Sequence, residues 1–106
     1  MAWVYLGVAG LLEVVWAYFM KTSEGFTKPT ESTITVVAMV ISFWLLSLAM
    51  KELPLGTAYA VWTGIGAAGA FILGIVFLGE AATLLRIGSA ALIVAGILGL
   101  KLASDA

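Results

Sequence analysis

The chain has 106 residues, of which 63% are hydrophobic and 10% charged, and its formal net charge is −1. A soluble domain usually carries about 25% charged residues and could not bury this much apolar surface, so the composition predicts one integral membrane domain, residues 1–106. The lack of a basic cluster excludes a nucleic-acid partner, and the lack of cysteine and histidine removes disulfides, thiol chemistry and the usual metal ligands.

Four apolar runs divide the chain, and each approaches or exceeds the roughly 20 residues that a helix needs to cross a bilayer. Backbone groups inside a bilayer must bond internally, and alternating strand patterning is missing, so the runs predict transmembrane helices and not a barrel. The predicted spans are residues 2–20, 33–50, 55–78 and 84–103. The expected fold is therefore an all-α membrane protein with four transmembrane helices.

The first span contains one acidic residue, Glu13, in an otherwise apolar run. It lies about 17 Å from the start of the helix, near the bilayer midplane, where an acid costs roughly 2.5–3.5 kcal/mol. An ionisable residue at this depth indicates a functional site, and a structural carboxylic acid bonded to another helix is the alternative. Because burial disfavours the ionised form, two such glutamates meeting across a dimer would hold protons until a cation arrived. Glu13 is thus the candidate site at which protons and a cation compete.

Two further side chains of the first and second spans are candidates for this site. Trp16 lies one turn after Glu13, and its indole N–H can donate to a carboxylate, although a core-filling aromatic is the alternative. Ser42 lies on a stripe of small residues with Ala38 and Ala49, so we expect it to face protein. A hydroxyl bonded back to its own helix is the alternative for Ser42.

The third span contains GIGAAG, residues 64–69, which matches a dinucleotide-binding fingerprint in letters only. Its mid-membrane position excludes that function, and the chain has no phosphate-binding loop, so no cofactor is expected. Gly64 and Gly66 instead predict close helix contact or a bend. Tyr59 and Trp62 share a face with Gly66 and present a phenol and an indole, which can bond a carboxylate or attract a cation.

The fourth span carries a stripe of small residues that includes Ser89 and Gly96. Such a stripe indicates helix association, and we predict that it mediates dimerisation, with packing inside one subunit as the alternative. Basic residues are almost balanced between the two membrane faces, two against three. This balance leaves open either a single orientation or insertion both ways, in which case opposed copies could pair antiparallel.

The motifs of the chain also resemble a known family. It contains GLLEVVWAYFMKTSEGFT and ISFWLLSLAMKELPLGTAYAVWTGIGAAG, followed by a short glycine-containing loop and a fourth apolar span. Over essentially its whole length it resembles the small multidrug resistance transporters, and the tryptophan three residues after the glutamate resembles the guanidinium-exporter subtype. The resemblance implies an antiparallel, dual-topology homodimer in the bacterial inner membrane that exchanges guanidinium for protons.

The resemblance also implies roles for individual residues. Glu13 of both subunits would be the shared proton and substrate site, and four subtype positions would surround it: Trp16, Ser42, Tyr59 and Trp62. Met39 and Phe43 would flank an opening beside the second span through which alkyl-guanidinium or quaternary ammonium cations pass. Guanidinium itself suits such a site, because its forked N–H donors match carboxylates.

Three functions follow for comparison. The first is proton-coupled export of guanidinium and related small cations, and the second is export of hydrophobic quaternary ammonium cations by the same mechanism. The third is a non-transporting accessory subunit of the membrane. An enzyme is not expected, and a pore is disfavoured because nothing in the sequence resembles a selectivity filter or a charged ring.

Overall fold

The computed structural model describes residues 1–104, so the last two residues of the predicted domain lie outside the described residues. The helices are α1 (Ala2–Thr22), α2 (Pro29–Ala49), α3 (Leu55–Leu78) and α4 (Leu84–Ser104). All four are long and apolar enough to cross a membrane. The prediction of an all-α membrane protein with four spans is confirmed.

The second helix begins at residue 29, whereas the apolar run predicted a start at residue 33. Lys28 has an extended backbone at the N-cap, and Pro29 occupies the first turn, where its fixed φ favours helix entry. Glu31 in the same turn interacts favourably with the helix dipole. A hydropathy criterion does not detect a polar first turn of this kind, which explains why the predicted start is four residues too late.

A tight turn joins α1 to α2 and is organised around Ser23. The Ser23 hydroxyl donates to the Met20 carbonyl at 2.7 Å and accepts from the Phe26 N–H at 3.0 Å. Glu24, Gly25 and Phe26 all have positive φ values, between 51° and 75°. This reversal returns the chain at once, so that α2 packs along α1.

The first helix is the centre of the bundle. It packs against both α2 and α3, whereas α2 and α3 touch each other little, and α4 packs on the outer side of α3. The shared core contains seven buried residues: Leu6, Ala9, Leu46, Ala49, Ala58, Val61 and Trp62. This arrangement places the middle of α1, which carries Glu13, between two neighbouring helices.

Glycines permit close contact between the helices. A Cβ atom added at Gly10 would lie 2.6 Å from Cγ2 of Ile65, and one added at Gly64 would lie 2.8 Å from Cδ1 of Ile97. The close-contact function predicted for Gly64 is therefore seen at the α3–α4 interface. The helix runs unbroken past Gly64 and Gly66, so a bend at these positions stays a prediction.

The glycines of the fourth helix face away from the rest of the described chain. Ser89 is exposed, and its hydroxyl donates to the Leu85 carbonyl of its own helix at 2.8 Å. A Cβ added at Gly88 or Gly96 would meet nothing within 4 Å. Packing within one chain, the alternative to dimerisation, therefore does not use this stripe in the part of the chain that the structure describes.

Candidate functional site

The Glu13 carboxylate lies halfway along α1 and faces α3. A Cβ atom added at Gly66 would overlap the carboxylate, so only glycine at this position leaves room for it. The Oε1 atom of Glu13 is buried and has no hydrogen-bond partner among residues 1–104. Leaving a buried polar atom without a hydrogen-bond partner costs about 1–3 kcal/mol of stability. Such an atom indicates a position where a proton or a ligand can bind.

Trp16 lies beside Glu13 and has a second polar atom of this kind. Its indole Nε1 is buried, and it too is without a hydrogen-bond partner in the described chain. The Trp16 ring meets Phe43 of α2 edge-on, with the ring centroids 6.4 Å apart and the planes at 74°. An acceptor and a donor one turn apart are therefore both unsatisfied in the middle of the bundle.

Ser42 connects three helices. Its fully buried hydroxyl donates to the Ala9 carbonyl of α1 at 2.7 Å and accepts from the Trp62 indole N–H of α3 at 3.0 Å. The expectation that Ser42 faces protein agrees with this burial, and the alternative of a bond to its own helix is not the bond observed. Because Ala9 lies one turn before Glu13, the Ser42 bridge fixes the helix face that carries the carboxylate.

Aromatic rings continue from this bridge to the surface of the chain. Trp62 lies 5.7 Å from Phe43 and 5.7 Å from Tyr59, measured between ring centroids. Trp62 is buried, while Tyr59 is 54% exposed and Phe43 is 48% exposed. The rings therefore form a continuous wall from the centre of the bundle to an open side of this chain.

The structure brings most of the predicted site residues together. Glu13, its neighbour Trp16 and the linked residues Ser42, Phe43, Tyr59 and Trp62 occupy one region around α1. Met39 lies one turn before Phe43 and is partly buried. Gly66 faces Glu13, whereas Gly64 faces α4, and the two dimerisation candidates on α4 are outside this region.

Two features of the site were not predicted from the sequence. The acceptor of the Ser42 hydroxyl is the backbone carbonyl of Ala9, which no side-chain pattern marks. The Trp62 indole, for which a bond to a carboxylate or attraction of a cation was expected, donates to Ser42. Of the two tryptophans only Trp16 has its N–H unpaired here.

The charges around the candidate site favour positive ions. Glu13 is the only charged residue in the middle of any span, and every lysine and the arginine lie at or near helix ends. A carboxylate in low-dielectric surroundings interacts more strongly with a cation than it would in water. The arrangement can therefore hold a proton or a small cation.

Comparison with known proteins gives a consistent picture. A profile of the family "Small Multidrug Resistance protein" matches residues 1–93. Relatives named "Guanidinium exporter" in Yersinia pseudotuberculosis and Yersinia pestis are 65% identical over 104 residues, 98% of this chain and 100% of theirs. A relative of the same name in Escherichia coli is 62% identical over 104 residues, 98% of this chain and 99% of its own.

Proposed function

Because the chain belongs to the small multidrug resistance family and is a multi-pass protein of the bacterial inner membrane, we propose that it exports guanidinium in exchange for protons. The observation that carries this proposal is the buried Glu13 Oε1 atom, which has no partner among the described residues. The name of the full-length relatives supports guanidinium as the substrate.

The exchange follows from competition at one carboxylate. In the empty site Glu13 binds a proton, because burial disfavours the ionised form. When guanidinium enters, its N–H donors bind the carboxylate oxygens and the proton leaves to the solvent on that side. Since each Glu13 carboxylate holds either a proton or the cation, opening the site alternately to the two sides couples proton entry to guanidinium exit.

The neighbouring side chains position the cation. Trp16 contributes an unpaired N–H that can donate to the carboxylate. Ser42 donates to Ala9 and accepts from Trp62, and the second lone pair of its oxygen can accept an N–H of the substrate. Tyr59 and Trp62 present ring faces that attract a cation. These groups suit a small planar cation, which forms hydrogen bonds in its own plane and stacks its flat face on aromatic rings.

We further propose that two copies assemble as an antiparallel dimer. The aromatic wall is open on one side, where Tyr59 is 54% exposed, so a second copy would enclose the site and bring a second Glu13 to it. The small-residue stripe with Ser89 and Gly96 is free of packing within the described chain and suits close helix contact. The near balance of basic residues supports insertion in both orientations.

Substrates larger than guanidinium would leave through the side of the bundle. Phe43 touches both Trp16 and Trp62 and is 48% exposed, so it is the part of the aromatic wall that lies between these two tryptophans and the bilayer. Rotation of Phe43 and of the flexible Met39 would open a path for the alkyl group of an alkyl-guanidinium or quaternary ammonium cation. This feature keeps hydrophobic quaternary ammonium export as the second candidate function.

The test is transport by purified protein in proteoliposomes that contain a pH-sensitive dye. An imposed guanidinium gradient should move protons in the opposite direction, and Glu13→Gln should abolish this movement. Glu52→Gln, the same chemical change at an exposed residue of the α2–α3 turn, should leave it intact. A response to tetraalkylammonium alone would assign the second function, and no response to either cation would favour an accessory subunit.

A further inference from the structure

Arg86 lies at an electrostatically unfavourable position, but its guanidinium group contacts several groups that bind cations. It belongs to the first turn of α4, where the helix dipole disfavours a cation. Its Nη1 nevertheless donates to the Ala81 carbonyl at 2.8 Å, and its Nη2 lies 3.6 Å from Oε1 of Glu80. Its Cζ atom lies 5.2 Å from the centroid of the Phe71 ring. A carbonyl, a carboxylate and an aromatic face therefore surround one guanidinium group.

The carboxylate of this cluster is positioned by α3. Gly79 ends α3 with a left-handed φ of 69°, and the N–H of Glu80 then donates to the Gly74 carbonyl at 3.0 Å. A Cβ atom added at Gly74 would overlap the Glu80 carboxylate, so the carboxylate lies against the helix. The end of α3 therefore contributes directly to the placement of this carboxylate.

A cavity of about 290 Å³ adjoins the cluster between α1 and α3. Phe71, Glu80 and Lys21 line it at the membrane face, and Ala17 and Ala70 are also among its lining residues. Ala17 lies one turn after Glu13, which places the far end of the cavity near the central site. At roughly 30 Å³ for one water in the liquid, this volume accommodates a guanidinium ion with several waters.

We infer that Glu80, the Ala81 carbonyl and Phe71 form a second guanidinium-binding site at the mouth of this cavity, and that Arg86 is its tethered occupant. Carboxylates and aromatic faces are the groups that bind guanidinium. The Glu80 and Arg86 side chains are 39% and 40% exposed, and ion pairs so exposed hold together only weakly. Free guanidinium at high concentration therefore displaces Arg86, which returns when the concentration falls.

The naming of free guanidinium as the natural competitor rests on the proposed function, whereas the affinity of the cluster for a guanidinium group does not. The test therefore uses protein in which Glu13→Gln has silenced the central site, and it measures binding and not transport. Loss of exchange in Glu13→Gln concerns the proposed function alone, and the binding experiment concerns the inference alone.

The first readout needs no change at the cluster, because Arg86 is the only arginine of the sequence. Its side chain gives one Nε–H signal in a nitrogen-edited NMR spectrum of the protein in bicelles. Guanidinium added to the Glu13→Gln protein should shift this signal saturably toward that of a solvated arginine, while equal concentrations of tetramethylammonium should not. An Arg86 signal that guanidinium leaves in place, or that both cations shift equally, would overturn the inference.

The second readout frees the site by adding Arg86→Gln, which also removes a cation from an unfavourable helix end. Backbone amide signals of Gly74, Gly79 and Glu80 should then shift saturably with guanidinium at concentrations about two- to sixfold lower than with Arg86 present, because a weakly held tethered occupant competes for the site. Unchanged concentrations would contradict occupancy by Arg86.

A matched pair of carboxylate variants completes the experiment. Adding Glu80→Gln should remove the saturable shift. Adding Glu24→Gln should leave the shift in place, because Glu24 lies outside this cluster. It is a matched control, since its exposed carboxylate is at the same membrane face and its Oε1 lies 3.7 Å from Nζ of Lys28. Equal effects of the two variants would show that general surface charge attracts guanidinium, which would contradict a specific site at Glu80. If guanidinium binds only after Lys21→Gln, and not after Arg86→Gln, then Lys21 is the occupant of the site. That result would refute the assignment to Arg86.

Discussion

Replacing Gly66 by alanine should impair substrate binding without unfolding the protein. The added Cβ would overlap the Glu13 carboxylate, which is the far end of a flexible side chain and can rotate away. Alanine is also favoured over glycine in a helix by about 1 kcal/mol, which offsets the cost of that rotation. The free energy of unfolding should therefore change little, while the carboxylate leaves its position.

The expected loss of affinity follows from the bonds that the carboxylate makes. A hydrogen bond to a charged group contributes about 1.5–3 kcal/mol, and each 1.4 kcal/mol corresponds to a factor of ten. Loss of one such bond between Glu13 and guanidinium should raise the dissociation constant roughly 10- to 100-fold. The KM for guanidinium in proteoliposomes should rise with it.

Two other glycines provide matched controls. Gly56 belongs to the same helix and has nothing within 4 Å of an added Cβ, so Gly56→Ala should bind guanidinium normally and unfold no more easily. At Gly10 an added Cβ would lie 2.7 Å from Cβ of Ile65, which is fixed to the backbone and cannot rotate away. Overpacking of this kind costs about 1–3 kcal/mol, so Gly10→Ala should be destabilised.

The assay pairs guanidinium titration with denaturation in mixed micelles, followed by circular dichroism. Normal affinity in Gly66→Ala would show that the functional carboxylate does not lie against α3. Unfolding of Gly66→Ala as easily as Gly10→Ala would show a general packing defect in place of a displaced ligand group.

Three further predictions concern the hydrogen-bond bridge, pH and assembly. Ser42→Ala and Trp62→Phe should be coupled by about 0.5–1.5 kcal/mol in a double-mutant cycle of unfolding, and strictly additive effects would contradict the observed bond. Because protons compete for Glu13, lowering the pH by one unit should raise the half-saturating guanidinium concentration by up to about tenfold per proton displaced. A half-saturating concentration that does not change with pH would exclude competition. Leucine at both Ser89 and Gly96 should convert dimers to monomers of unchanged helicity by preventing close helix contact, and sedimentation of an intact dimer would place the interface elsewhere.

The fold was predictable because the bilayer imposes a simple rule on composition. Long apolar runs predicted four helices, and the third helix, Leu55–Leu78, has the bounds of its run. The start of α2 was not found, because Pro29 and Glu31 favour a helix through local geometry and charge and not through hydropathy. A combined criterion of apolar length and capping residues would have placed it.

The candidate site was predictable where one residue carries the signal. An acid at the midplane is costly, so Glu13 is conspicuous in the sequence alone. The partner of Ser42 was not predictable, since a backbone carbonyl such as that of Ala9 has no sequence signature and the choice depends on which helices adjoin. Gly64 and Gly66 face different neighbours because residues two apart on an α-helix lie about 200° apart around its axis.

Proton release on substrate binding is the most direct test of competition at Glu13. Guanidinium chloride is added to purified protein in a weakly buffered detergent solution, and the pH change is compared with that from tetramethylammonium chloride and from protein-free solution. Competition at Glu13 predicts saturable release of protons in proportion to the protein, absent in Glu13→Gln and present in Glu52→Gln. Saturable guanidinium binding that releases no protons, or release that persists in Glu13→Gln, would contradict it.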